Sequence, residues 1–255
     1  MNRKTTAFVR FLHQGRWRHG LLGEGEVVPL RGSIFGRWEK AGRALPLEGV
    51  RLGPPCRPSK IVAVGVNYRA HAREMGHSLP PDPKIFLKPP TAVVGPGDTI
   101  RCPAMAAQVD YEAELAVVIG RRARNVSRQE SAKYILGATC FNDVTARDLQ
   151  KADGQWTRAK SFDTFAPVGP AIVTGLDLSS LVVESYLNGE RRQSASTADL
   201  IFPVEELVHF ISRIMTLLPG DIIATGTPEG VGPIVAGDDV TVEIGGFGRL
   251  YNTVR

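Results

Sequence analysis

The sequence predicts an α+β fold, rich in strands and poor in helices, with a small β-rich segment ahead of a larger domain. Three observations carry this reading. Short runs in which apolar and polar residues alternate recur from FVRFL near the start to DDVTVEI near the end, the period of strands with one buried face. Helical spacing is sustained in one long stretch, residues 203–218, which leaves helices in the minority. The run GPPCRPSK, residues 53–60, holds three prolines and a glycine and places a connection there.

Composition bounds the possibilities. With 255 residues and 43% hydrophobic content, the chain suits one large domain, or one domain with a small appendage. No stretch approaches the roughly 18 apolar residues of a spanning helix, and the opening MNRKTTAFVRFLHQGRWRHG alternates rather than forming a signal-peptide block. A cytoplasmic protein with no membrane partner is expected. Cys56, Cys102 and Cys140 are odd in number and share no metal or redox spacing, which fits reduced structural thiols. The net charge of +5 is concentrated: residues 1–51 hold ten Lys/Arg against four acids, a surplus larger than that of the whole chain. No basic block there reaches five residues, so a solvated surface is favoured over a nucleic-acid face.

The elements follow in order. Up to Leu52, alternating runs such as FVRFL and EVVPL read as the small β-rich domain, assigned to 1–56, and the larger domain, 57–255, opens its first strand at Ile61. IVAVGVNY is a strand ending at Gly65 and Asn67, AHAREM one or two helical turns, and GHSLPPDPKIF a loop able to move. VDYEAELAVV, residues 109–118, reads as one strand that puts Asp110, Glu112 and Glu114 on the same face, neighbours about 7 Å apart. Like charges so close disfavour one another unless something positive sits among them. Ser127 with Glu130 makes a capping box for a helix ending near Gly137, and Thr145 with Asp148 makes another after FNDV. VESYLNGERRQS is a hairpin turning on Asn188-Gly189 in type I′ geometry. In 203–218, Pro203 sits at the first turn and apolar residues at 204, 207, 208, 211, 214, 215 and 218 form one buried stripe.

Several residues point to chemistry. Glu112, Glu114 and Asp143 could converge on a hard divalent cation through oxygen atoms, and the lack of a nearby His or Cys pair argues against zinc. Magnesium suits three carboxylates with places left for water and substrate, and manganese could substitute. Alternating acids also mark solvated strand faces, so the spacing alone leaves both readings open. His71 and Glu74, three apart, can share a helix face as a general-base dyad or as a surface pair.

The segments GVNYRAHAREM, FLKPPTAVVGPGD, DYEAELAVVIG, FNDVTARDLQ, AKSFDTFAPVGP and GDIIATGTPEGVGP together resemble the fumarylacetoacetate hydrolase family, in the family's order across residues 60–255. The preceding segment resembles the small N-terminal domain of bacterial members such as the homoprotocatechuate-pathway isomerase/decarboxylase enzymes. The resemblance implies mixed sheets rolled into a sandwich-like barrel. It implies Glu112, Glu114 and Asp143 as ligands of Mg2+, with Asp110 a supporting or surface carboxylate. His71 and Glu74 match the family's catalytic His and Glu, on a segment that orders over the ligand as a lid, where His77 is either a substrate contact or an exposed residue. Lys160 matches a lysine near the metal, placed to hold a substrate carboxylate or an oxyanion. Thr227 and the Gly226 amide are expected to bind a carboxylate or simply to turn the chain, and Arg147 and Gln150 to bind the distal part of the substrate or to brace the site.

The acidic ligand particular to members closest to fumarylacetoacetase has no match here, which favours the acylpyruvase-like branch. The implied activity is Mg2+-dependent enolate chemistry on a small-molecule 2-oxo or 2,4-dioxo acid, with C–C hydrolysis of an acylpyruvate (fumarylpyruvate or acetylpyruvate) first. Isomerisation or tautomerisation, as in 2-hydroxyhepta-2,4-diene-1,7-dioate isomerase, and oxaloacetate decarboxylation are the alternatives. A homodimer is implied too. The contrasting reading, a non-catalytic nucleic-acid-binding module, rests on the basic N-terminal segment alone.

Overall fold

The computed structural model describes residues 5–74, 76 and 78–255. His77 therefore lies outside the described residues. Strands dominate and form three sheets with few helices, as the sequence predicts. The largest sheet runs from edge to edge through 38–40, 26–32, 16–22, 6–13, 166–174, 135–142, 113–119, 222–224, 61–65 and 84–88.

Near the centre of that sheet the strand Ala113–Ile119 is buried at every position. Leu115, Val117 and Ile119 enter one apolar core while Ala116 and Val118 enter another on the opposite face. Burial on both faces is why this segment reads as a nearly unbroken apolar run. A five-stranded sheet (99–100, 248–254, 239–244, 182–187 and 190–196) and the helix Val204–Ile214 cover the first face. Val183, Val242 and Ile244 of that sheet and Leu207, Val208 and Ile211 of that helix share its core with Leu115 and Val117. The result is the sandwich-like packing that the family resemblance implies.

The N-terminal strands are part of this construction. Thr6–His13 pairs antiparallel with Ala166–Thr174, Phe8 lying opposite Ile172, and Val9, Phe11 and Val27 join the same core as Leu115 and Val173. The turn at Asn188-Gly189 has positive φ at both residues, 52° and 80°, as a type I′ hairpin requires. Among the described residues no helix is long and apolar enough to cross a membrane. Cys56, Cys102 and Cys140 are free thiols, and burial pushes the first and last up to about 12.

Four local expectations are corrected by tertiary contacts. VDYEAELAVV is two strands, Val109–Tyr111 and Ala113–Ile119, broken at Glu112. The first belongs to a separate three-stranded sheet between Thr145–Ala146 and Gly232–Ile234, because the Glu112 amide donates to Asn142 Oδ1 (2.9 Å) instead of to a ladder. The segment after Ser127 is a 3-10 run, Arg128–Tyr134, and not a helix reaching Gly137. Glu130 turns to Lys133 (2.6 Å) rather than back to cap, and pairing with Ala113–Ile119 draws Ile135 onward into a strand. Thr145 likewise does not cap. Its hydroxyl donates to the Asp143 carbonyl (2.8 Å), Asp148 accepts from the Ala107 amide (2.9 Å), and the helix runs from Arg147 to Asp153. The long helix stops at Ile214, since Leu217 and Ala123 exchange two backbone hydrogen bonds of 2.9 Å that pull the chain straight.

Candidate active site

The antiparallel register sets Ala113 opposite Asn142 and Glu114 opposite Phe141. Glu112 therefore meets Asp143, whose amide donates to the Glu112 carbonyl (2.8 Å). Carboxylate oxygens of Glu112, Glu114 and Asp143 all lie within 4.8 Å of one another, and all three residues are buried. Three hard oxygen donors, Glu114 on the strand Ala113–Ile119 and Glu112 and Asp143 directly beside strand ends, with neither His nor Cys in the group, fit a hard divalent cation such as magnesium or manganese.

Positive groups surround the trio. Lys160, from the short helix Thr157–Lys160, donates to Glu112 Oε2 (2.8 Å) and Asp143 Oδ2 (2.6 Å). Arg147 donates through Nη2 to Glu112 Oε1 (2.5 Å), through Nε to Asp110 Oδ2 (2.8 Å) and through Nη1 to Gln150 Oε1 (2.6 Å). Asp110 is thus a buried carboxylate that orients Arg147. Lys88, fully buried, pairs with Asp143 and donates to the Val144 carbonyl (3.0 Å).

Two carboxyls two positions apart, on either side of Ala113, respond in opposite ways. Burial pushes Glu112 up, but Lys160 and Arg147 outweigh it and hold the group down at about 2. Among the described residues no cation bonds Glu114: burial, then Asp143 and Glu112, raise it well above the usual carboxylate range, and the Gly226 amide (2.9 Å) and the more distant Lys160 only partly offset this. With all four buried carboxyl groups ionised they outnumber the three cationic groups by one charge, and a bound divalent ion would reverse that balance in favour of an anionic substrate.

Glu112, Glu114, Asp143, Lys160 and Arg147 line one cavity of about 190 Å³, a size that suits a short acid, with His71, Gln150 and Thr227 also in its wall. His71 Nδ1 contacts Glu74 Oε2 at 2.9 Å on the helix Arg69–Glu74, and Glu74 Oε1 accepts from the Gly230 amide (3.3 Å). Asn67 fixes the base of that helix by donating to the Thr225 carbonyl (2.7 Å) and accepting from the Phe202 amide (2.8 Å). Just before it, Val66 holds φ at 58°, a costly conformation for a β-branched residue, in the cavity wall.

The structure brings Glu112, Glu114, Asp143, Lys160, His71, Thr227, Arg147 and Gln150 to one cavity, with Glu74 behind His71. The Gly226 amide donates to a carboxylate of the site itself, that of Glu114 (2.9 Å). At Gly226 a φ of 100° and a neighbour 2.7 Å from any added Cβ make glycine the residue that fits there. The Thr227 hydroxyl donates to the Ala113 carbonyl (2.9 Å) and accepts from Gln193 (2.9 Å), so its proton is committed to the scaffold. Lys88, Phe86 and Trp156 escaped the sequence reading. Lys88 had a signal, a lone charge closing the apolar run IFL; the edge-on Phe86–Trp156 wall (centroids 5.2 Å) had none, because the two are 70 positions apart.

Residues 60–255 match the fumarylacetoacetate (FAA) hydrolase C-terminal family, and residues 7–55 the Rv2993c-like N-terminal family. This chain belongs to the fumarylacetoacetate hydrolase family. Among solved members it is similar to 2-hydroxyhepta-2,4-diene-1,7-dioate isomerase from Mycobacterium marinum, at 46% identity over 98% of each chain and a TM-score of 0.92. Maleylpyruvate hydrolase from Sphingobium sp. SYK-6, solved with manganese(II) and pyruvate, is 32% identical over 97% of this chain and 98% of that one, with a TM-score of 0.82. Mitochondrial oxaloacetate tautomerase FAHD2B from Bos taurus is 43% identical over 215 residues, covering 80% of this chain and 68% of the relative. Fumarylacetoacetate hydrolase relatives of this chain are therefore enzymes of three reaction types.

Proposed function

We propose that this protein is a Mg2+-dependent enzyme of short 2-oxo and 2,4-dioxo acids, and that it hydrolyses the C–C bond of an acylpyruvate of the fumarylpyruvate or acetylpyruvate type. The observation that carries the reading is the meeting, in one small cavity, of the acidic trio with the His71–Glu74 pair. A divalent ion held by Glu112, Glu114 and Asp143 supplies Lewis-acid polarisation of the keto oxygen, and manganese can replace magnesium. The manganese and pyruvate bound to the maleylpyruvate hydrolase relative support that choice.

The chain's own groups supply the rest. Glu74 takes His71 Nδ1, so the proton to be moved goes to Nε2. His71 removes it from water as the water oxygen bonds to the distal carbonyl carbon. The C–C bond then breaks with its electron pair left on the pyruvate enolate, and a proton delivered to carbon gives pyruvate beside a carboxylic acid. Lys160, Lys88 and Arg147 hold the carboxylates in place and offset three of their four charges, so that with the ion bound the site would favour the substrate's own carboxylate. A homodimer is part of the same proposal and is read by sedimentation.

A second reading is favoured by one observation: the relatives called isomerase and tautomerase are 46% and 43% identical, against 32% for the hydrolase. In that case His71 moves a carbon-bound proton and no water attacks. The test is a panel of acetylpyruvate, fumarylpyruvate, oxaloacetate and a 2-hydroxy-dienedioate, each with Mg2+, Mn2+ or EDTA, with every product followed separately. Carboxylic acid and pyruvate in equal amounts, lost with EDTA, establish the hydrolase. Proton exchange on oxaloacetate or the dienedioate without acylpyruvate cleavage establishes the second reading instead.

A further inference from the structure

A second cavity, about 460 Å³ in volume, lies where the N-terminal strands meet the proline-rich connection, and it shares no residue with the catalytic one. Its wall holds Arg10 and Arg57. Arg10 is only 9% exposed, yet its guanidinium makes no hydrogen bond or ion pair among the described residues and instead stacks over the Trp17 ring at 4.3 Å. Trp17 is held in turn by Gly53, where an added Cβ would meet the ring at 2.6 Å. The acid in the wall, Asp98, is already engaged, accepting from Arg51 (2.7 Å) and from the Gly95 amide (2.8 Å).

A largely buried guanidinium that no protein acceptor answers, and whose N–H groups are left to the cavity, loses part of its hydration, and a second guanidinium nearby adds repulsion. Burial first and then Arg57 draw Arg10 below its ordinary value. Both costs vanish if an anion with several oxygen atoms sits between the two forks. Pro54 and Pro58 stiffen the wall, so little ordering is needed on binding.

We propose that this cavity is a binding site for a small oxyanion, a phosphate or carboxylate group, held between Arg10 and Arg57 beside Trp17 and bridging the N-terminal strands to the connection. The site stands apart from the proposed reaction.

The chain has three tryptophans, at 17, 38 and 156, so its indole N–H resonances are few and can be assigned by Trp→Phe substitution. Trp17 reports the new cavity and Trp156 the catalytic one. Inorganic phosphate and succinate are titrated separately into 15N-labelled, Mg2+-loaded protein, with sodium chloride at matched ionic strength as control. A saturable shift of Trp17 is expected with at least one of the two, and the tighter one identifies the oxyanion. Arg57→Gln, at an exposed position, is expected to weaken that shift roughly tenfold or more while leaving turnover and the Trp156 response unchanged. Arg10→Gln provides the second variant. A silent Trp17, a shift confined to Trp156, a shift reproduced by chloride, or equal affinity in Arg57→Gln each overturns the proposal.

Discussion

Glu112 and Glu114 are two positions apart, and the difference between them is the pair of cations that only Glu112 touches. The proposed division of labour at this scale is sharp: carboxylates for the ion, His71 for the proton. His71→Gln is therefore expected to lower kcat by about 10²–10⁴-fold with KM little changed, as loss of a general base does. Steady-state kinetics on the best acylpyruvate checks it, and an unchanged kcat removes His71 from the chemistry. Lys88 is a different case, a buried charge whose partner Asp143 stays behind when it is removed. Lys88→Met is expected to destabilise the protein by about 3–5 kcal/mol, read by urea unfolding in EDTA, because Asp143 is left buried among Glu112 and Glu114 with one cation fewer.

At the scale of elements, Asp221 joins three pieces of chain. Its Oδ1 accepts from the Ser59 hydroxyl (2.6 Å), the Ser59 amide (2.9 Å) and the Lys60 amide (3.2 Å); Oδ2 accepts from the Leu218 amide (2.8 Å) and pairs with Lys60. That anchor sets the adjoining strands Ile61–Gly65 and Ile222–Ala224 side by side in parallel. Burial pushes Asp221 up, but Lys60 and Ser59 outweigh it and hold the carboxyl below its ordinary value. Since the folded value lies under the unfolded one, near 3.9, the stabilisation is present above about pH 4 and is lost as pH falls through the folded value. Asp221→Asn is expected to cost about 2–3 kcal/mol at neutral pH, with the gap to wild type narrowing below about pH 4. Urea midpoints across that range measure it; a gap independent of pH refutes the ionic account.

For the whole molecule, the N-terminal strands complete a sheet and a core as much as they form a unit. Removing residues 1–52 strips the partner from the Ala166–Thr174 edge and takes Val9, Phe11 and Val27 out of the shared core. The truncated chain is expected to aggregate or to melt well below the intact one, checked by size exclusion and thermal scans, since an uncovered edge strand templates association. Recovery of a monodisperse fragment melting at the intact temperature contradicts this. The same continuity places Arg10, from the N-terminal strands, and Arg57, from the connection, in the wall of one cavity.

The sequence by itself determined what depends on near neighbours. The strand-rich class followed from period-two alternation, the Asn188-Gly189 turn from two residues that tolerate positive φ, and the His71–Glu74 contact from helical spacing. It also carried the Glu112, Glu114 and Asp143 constellation, although there the motif spoke rather than the geometry. The tertiary structure alone decided where the strand breaks, why two capping boxes are unused, what the Gly226 amide bonds, and which cations stand around the acids. Lys88, Lys160 and Arg147 reach Asp143 or Glu112 from 17 to 55 positions away. The reason is physical: a local preference worth a fraction of a kcal/mol yields to strand register and buried charge pairing, and those are fixed only when distant segments meet.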